Sequence, residues 1–255
     1  MLEITKHLSK NISNFDSVEE RLSSIKDQYK DKTAVVLLTG PTLNDHKDIK
    51  KTLSNRDDLI IVPIKQAYEI TEEISDFHIT NPWNIDRTKS YDYKDTITFW
   101  GLSQSFLQAH LDIISDNNHK CDIWVPIINP PSITDNDTIQ ATCNFDLFWM
   151  LQNETKSIWG KSILYSSIIP FLLHIGCKDI ITIGWDTKVN KEKAHFFKDD
   201  NFKMQPGDYD YELEWVKSTY KLYDWCKENE VNIKIISDLN PCDERFERLQ
   251  SIKDI

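Results

Sequence analysis

Thr33-Ala-Val-Val-Leu-Leu-Thr-Gly-Pro-Thr-Leu-Asn-Asp45 decides how the rest of the chain is read. Its first six residues form a short, continuous apolar run rich in β-branched side chains, the pattern of a strand covered on both faces. The remainder reads as a tight turn opening a helix. The same theme recurs at Leu59-Ile-Ile-Val-Pro63, Phe77-His-Ile-Thr80, Thr96-Ile-Thr-Phe-Trp100, Ile123-Trp-Val-Pro-Ile-Ile128, Asp179-Ile-Ile-Thr-Ile-Gly184 and Asn232-Ile-Lys-Ile-Ile236. Seven short strands, mostly separated by helical segments, imply an α/β fold: a mostly parallel sheet flanked by helices.

Two helical segments stand out, Lys161 to Ile175 and Tyr211 to Asn229. In the second, Trp215, Thr219, Leu222 and Cys226 share one face. Pro170 inside the first removes a helical hydrogen bond and predicts a kink, with Ser166 or Ser167 compensating. Residues 1–32 read as an N-terminal helical lead-in on the outside of the core. Val18, Leu22 and Ile25 recur there at helical spacing, and Asp16 or Ser17 is suited to cap the start. Residues 33–255 read as a single domain. Irregular, lid-like segments interrupt it around 129–158, which carries Pro130-Pro131 and the apolar patch Phe145 to Leu151, and around 187–210.

Composition narrows the function. Thirty Lys and Arg against 41 Asp and Glu leave a formal charge of −11, which excludes a broad nucleic-acid-coating surface but not a small basic pocket. The longest largely apolar stretch, Ile163 to Ile175, is 13 residues and is broken by Ser166, Ser167, Pro170 and His174. A bilayer takes about 20. The N-terminus lacks the basic-then-apolar pattern of a secretory signal. A cytoplasmic protein is the expectation, with peripheral association at the inner face of the membrane left open. Five widely spaced cysteines, Cys121, Cys143, Cys177, Cys226 and Cys242, read as reduced structural thiols, and His174 before Cys177 as an isolated pair.

Only six glycines occur, and Gly40, Gly176 and Gly184 stand where a strand or helix ends. Gly40-Pro41-Thr42 gives a turn whose N–H groups and hydroxyl suit a phosphate or a ribose, or else it is a plain βα turn. Neither the dinucleotide fingerprint nor the Walker loop is present. Asn81, after Phe77 to Thr80, directs an amide at the carboxyl edge of the sheet, or else forms an Asn-Pro turn. Lys65 and Gln66 follow the second strand and bring a cation and an amide to the same edge, unless Lys65 is a solvated loop lysine. Gly176 reads as a helix C-cap, and Trp185 and Asp186 emerge where the sixth strand ends. Next comes Thr187-Lys-Val-Asn-Lys-Glu-Lys-Ala-His-Phe-Phe197, three lysines and a histidine in an acidic chain. His195 suits a general base or a phosphate-holding cation, or is a surface histidine. Trp83, Trp159 and Trp185 are stacking platforms or core.

Taken together, Leu38-Thr-Gly-Pro-Thr-Leu43, Ile64-Lys-Gln66, Thr80-Asn-Pro-Trp83, Lys161-Ser-Ile-Leu-Tyr165, Ile175-Gly-Cys-Lys-Asp-Ile-Ile-Thr-Ile-Gly-Trp-Asp186 and Glu230-Val-Asn-Ile233 resemble, in the same order, the bacterial sialyltransferases that use CMP-sialic acid on lipooligosaccharides. The resemblance spans roughly residues 33–237 and rests on collinearity, since each block is short. It implies a Rossmann-like domain with a lid, inverting sugar transfer from a CMP-activated acidic sugar to a cell-surface glycan, no metal or other cofactor, and a histidine base. Archaeal pterin pyrophosphokinases and flagellin-glycosylation accessory proteins share the Gly-Pro-Ser/Thr-Leu and Gly-x-Asp signals.

Carried over by position, Gly40, Pro41 and Thr42 contact the donor nucleotide, Asn81 the cytidine or phosphate, and Ser162 the sialyl or phosphate group. Lys65, Gln66, Asp186 and Lys188 complete the donor side. Departures are specific. Ile163 follows Ser162 where the family has glycine, Lys65 stands for an asparagine, and Lys188 lies near the position of a family tyrosine. No histidine stands before the helix of Tyr211 to Asn229, where the family keeps its base. His195 or Glu212 must substitute. Asp135-Asn-Asp137 has the spacing of a metal-binding pair but sits in an irregular segment and reads as a turn. Two rival functions follow from the same residues: a phosphotransferase resembling the pterin pyrophosphokinases, with Mg²⁺-ATP held at Asp186, and a non-enzymatic nucleotide- or glycan-binding module.

Overall fold

A computed structural model describes residues 1–46, 48–103, 106–127, 164–186, 219–220, 222–237 and 243–255. The apolar runs form strands β1 (Thr33–Leu37), β2 (Leu59–Pro63), β3 (Phe77–Thr80), β4 (Ile97–Ser103), β5 (Ile123–Ile127), β6 (Asp179–Ile183) and β7 (Asn232–Ile236), close to the expected limits. A two-residue strand, β8 (Glu247–Arg248), was not expected: it is too short and too polar to show as an apolar run. Every pairing among the described residues is parallel, in the orders β2-β1-β6-β7-β8 and β3-β4-β5.

Asp76 stitches the two groups of strands. Its N–H donates to Ile61 O at 2.9 Å, and its Oδ2 accepts from Ile61 N at 3.0 Å. A parallel bridge joins Ile64 to Ile79. The strands thus run β5-β4-β3-β2-β1-β6-β7-β8. The chain builds outward from β1 to β5, returns to β6 on the other side of β1, and builds outward again. Between β1 and β6 lies the switch point, and ligands of open parallel sheets bind at the carboxyl edge there. This is an α/β, Rossmann-like sheet.

Strand side chains alternate between two covered faces. Ala34, Val36, Ile60, Val62, Phe77, Ile79, Ile97, Phe99, Ile123 and Val125 enter one cluster. Val35, Leu37, Leu59, Ile61, Ile181 and Ile183 enter the other, against Leu43, Ile49 and Leu53. Phe171 anchors the first, edge-on to Phe77 at 5.1 Å and tilted on Phe99 at 4.5 Å. Burying such a ring is worth about 2–3 kcal/mol.

The lead-in forms α1 (Glu3–Ile12) and α2 (Val18–Ile25), the latter capped by Ser17 in a reciprocal box with Glu20. It packs on the core through one face of each helix. Ile12, Leu22, Ile25 and Tyr29 are fully buried in the first cluster, and Leu2 N and Thr5 Oγ1 each donate to Asp76 Oδ1 at 2.7 Å. The helical spacing of Leu22 and Ile25 puts both on one face, and that face is buried.

Near Pro170 the expected kink takes the form of a change in winding. Residues Leu164–Ile168 make a π-turn and an α-helix follows at Ile169–His174. Pro170 is then second in the new helix, where a missing N–H costs little. Of the two serines expected to compensate, Ser167 has no hydrogen-bond partner for its hydroxyl among the described residues, and the Ser166 side chain lies outside what the structure describes. That helix ends as Gly176 predicts: Cys177 N donates to Leu172 O at 2.9 Å and Gly176 N to Leu173 O at 3.1 Å. His174 Nε2 is bonded to Leu22 O at 2.9 Å, so it ties the lead-in to the core. Burial pushes the Cys121, Cys177 and Cys226 thiols up to about 12. Thr219, Leu222 and Cys226 share a buried face, as their spacing requires. No helix among the described residues is long and apolar enough to cross a membrane.

Candidate functional site

The switch point is closed by hydrogen bonds that span the chain. Leu38 N donates to Ile183 O at 2.8 Å, and Gly40 N to Gly184 O at 3.0 Å. Pro41 opens a 3₁₀ turn, Pro41–Asp45, with Gly40 at its N-cap. Asp186, just past β6, accepts from Thr42 N at 2.7 Å and from Thr42 Oγ1 at 2.7 Å. Ser237, just past β7, donates its hydroxyl to the same carboxylate. Three strand ends are therefore held by one side chain.

Both glycines here are required by space. A Cβ on Gly40 would fall less than 3.0 Å from Asp186 Oδ2 and from Gly184 O. Gly184 has φ +72°, and a Cβ there would meet Leu38 O at 2.8 Å. The sequence places Gly40, Thr42 and Asp186 at one edge, and the structure joins them. The Thr42 N–H, expected to face a phosphate, is spent on Asp186.

A second group gathers past β2 and β3. Gln66, buried, donates its Nε2 to Asn84 Oδ1 at 3.0 Å, and Asn84 Nδ2 donates to Asn81 Oδ1 at 2.6 Å. Gln66 and Asn81 are thus connected through a residue that sequence reading missed. The signal was available: Asn84 lies three positions after Asn81, and side chains at i and i+3 eclipse in the 3₁₀ turn Pro82–Asn84. Since Asn81 Oδ1 already accepts, its Nδ2 hydrogens are what Asn81 offers to a ligand.

Lys65 stands beside this relay with φ +50°. Its carbonyl is bonded to His78 Nε2 at 2.8 Å. A carbonyl only accepts, so Nε2 carries the proton. His78 is fully buried among Tyr68, Tyr91 and Tyr93, and desolvation pushes its pKa down to about 3. Burial also lowers the Lys65 ammonium from the ordinary lysine range.

Trp83 is 74% exposed, with its ring edge-to-face on buried His110 at 5.2 Å, and Phe106 is exposed beside it. Trp185, by contrast, is buried against Phe246 and belongs to the core. Ser162, Lys188, His195 and Glu212, with Trp159 and the Asp135-Asn-Asp137 turn, lie outside the described residues. Among the described residues no group of three or more His, Cys, Asp or Glu side chains is placed to hold a metal ion.

No family model and no curated protein matches the chain. Among solved structures it is similar to the sialyltransferase CST-II, crystallised as a Tyr-to-Phe variant in complex with CMP. Identity is 13%, each chain is covered over 88% of its length, and the TM-score is 0.46.

Proposed function

We propose that this protein is a glycosyltransferase that moves a CMP-activated acidic sugar to a cell-surface glycan. One observation carries the reading. The short blocks that are collinear with the bacterial sialyltransferases, Gly40-Pro41-Thr42, Lys65-Gln66, Asn81 and Asp186, converge on the carboxyl edge of one parallel sheet, at its switch point and beside it.

In this reading each group has a chemical task. Asp186 and Ser237 shape the Gly40–Thr42 turn as the floor of the donor site. Asn81 Nδ2 donates to an oxygen of the cytidine or its phosphate, and Lys65 supplies positive charge. Ser162 and Lys188 are proposed for the sugar and phosphate on the same grounds of position. The acceptor hydroxyl oxygen attacks the anomeric carbon, and the bond to the phosphate oxygen breaks with its electron pair leaving on CMP. The hydroxyl proton passes to a base, for which His195 and Glu212 are the proposed groups. Cationic side chains stabilise the departing phosphate, so the reaction needs no metal.

A thermal-shift panel with CMP, CDP, UDP, GDP, ATP and AMP, each with Mg²⁺ or EDTA, tests this. Ligand at about 100 times its dissociation constant stabilises by about 2.7 kcal/mol, a shift of a few degrees for a domain of this size. The expected result is a CMP-selective, EDTA-insensitive shift that disappears in Asn81→Ala, followed by turnover of a CMP-sugar. A shift with ATP and Mg²⁺ alone overturns the reading in favour of the phosphotransferase. CMP binding without turnover of any donor favours the binding module.

A further inference from the structure

Among the described residues, Lys65 has no anionic partner. Of the described lysines, Lys6, Lys30, Lys50, Lys89, Lys94, Lys120, Lys178 and Lys234 are each within 4.0 Å of a carboxylate, Lys32 donates to a backbone carbonyl, and Lys10, Lys51, Lys227 and Lys253 are exposed to solvent. Lys65 is a half-buried residue, and its ammonium makes no ion pair or hydrogen bond with any described residue. In a chain with 41 acidic residues, pairing it would take one neighbouring carboxylate. Withdrawing an ammonium from water without a counter-charge is unfavourable, and a fold tolerates it where something else supplies that charge.

Its backbone is held as deliberately as its side chain is left open. A non-glycine residue at φ +50° is strained and persists only where its surroundings over-determine it. Here the restraint is the bond between the His78 Nε2–H and the Lys65 carbonyl at 2.8 Å. His78 is itself fixed by Tyr68, 4.8 Å away, and by Tyr93, stacked at 5.3 Å. Next to Lys65 the Gln66–Asn84–Asn81 relay leaves Asn81 presenting N–H donors. Lys65 follows β2 and Asn81 follows the neighbouring β3, so one edge of the sheet carries a half-buried lysine and amide donors, a combination that suits an anionic oxygen group.

We infer that Lys65 is a pre-built anion-recognition residue whose ammonium takes a phosphate or carboxylate group of the ligand, and that His78 positions it by holding the Lys65 carbonyl. The identity of the ligand rests on the function proposed above; the anion site does not. Ionic recognition from a fixed, partly dry position is worth about ten- to a hundredfold in affinity.

Calorimetric titration of the full chain with inorganic phosphate, CMP, uncharged cytidine and a free acidic monosaccharide, at two salt concentrations, tests it. CMP against cytidine reads the phosphate, and the acidic monosaccharide reads the carboxylate. In Lys65→Gln, binding of at least one anionic ligand falls about ten- to a hundredfold and loses its salt dependence. Cytidine binding is unchanged. His78→Leu weakens the same ligand selectively, and His78→Gln, which keeps an N–H donor, restores it. A merely structural His78 would weaken cytidine and CMP alike. Lys65-dependent phosphate binding without CMP preference leaves the anion site standing and removes the CMP-sugar reading. CMP binding that is equal in Lys65→Gln does the reverse. A wild-type protein that takes up none of these anions overturns the inference.

Discussion

The carboxylate of Asp186 accepts hydrogen bonds from both the amide nitrogen and the hydroxyl of Thr42, each at 2.7 Å, across 144 residues of sequence. With the Ser237 hydroxyl on the same group, one side chain fixes the ends of β1, β6 and β7. Removing it leaves the buried Thr42 N–H without its acceptor, and a buried donor left unpaired costs about 1–3 kcal/mol. Asp186→Ala should destabilise by that amount in urea titrations. It should also disorganise the turn, so CMP affinity falls with stability.

Gly40→Ala tests the same closure by crowding. The added methyl has no direction in which to relax: its neighbours are the Asp186 carboxylate, already held by three donors, and the Gly184 backbone. Overpacking of this kind costs about 1–3 kcal/mol. Melting of Gly40→Ala should drop accordingly, while Pro41→Ala, at the half-buried next position, should change it little.

How far this was readable without coordinates depended on whether a residue's role is local. The strands were legible because a parallel sheet buries both faces and leaves continuous apolar runs at β1, β2 and β6, whereas β8, with Glu247 and Arg248, leaves none. Gly40, Gln66, Asn81 and Asp186 were legible as candidates because strand ends in such a sheet face one edge. Their partners were not. That Thr42 bonds Asp186 instead of a ligand is a long-range fact, and so is the grip of His78 on the Lys65 carbonyl. The apolar face of the lead-in was legible in the spacing of Leu22 and Ile25, but not the surface that covers it, because amphipathic spacing does not name the partner.

The amide relay gives a sharper test of the site than any deletion. Asn84→Asp still accepts from Gln66 Nε2, but it cannot donate to Asn81 Oδ1, now 2.6 Å from another acceptor. Asn81 should turn its amide over and offer an oxygen where it offered N–H groups. A reversed hydrogen bond to a ligand oxygen is worth about tenfold or more in affinity. CMP binding by Asn84→Asp should fall accordingly at near-constant melting temperature, with Asn84→Ala intermediate. Equal affinities in all three proteins would mean that Asn81 does not face the ligand.

His78 links the site to pH. Its folded pKa, about 3, lies below the ordinary value of 6.5 because the ring is fully desolvated. Between those values the unfolded chain takes up a proton that the folded chain refuses. The stability His78 contributes is therefore complete above pH 6.5 and is lost as pH falls from there toward 3, by about 1.4 kcal/mol per unit. Asp76, raised by burial, titrates in the opposite sense, so the raw pH curve of the wild type mixes the two. The difference between wild type and His78→Gln removes what they share. That glutamine keeps a donor for the Lys65 carbonyl and cannot titrate. Urea titrations of both proteins at pH 7.5, 6 and 5 should show the wild type losing about 2 kcal/mol of its advantage by pH 5. A difference that stays constant across that range would mean that His78 is charged, or reaches water, in the folded protein.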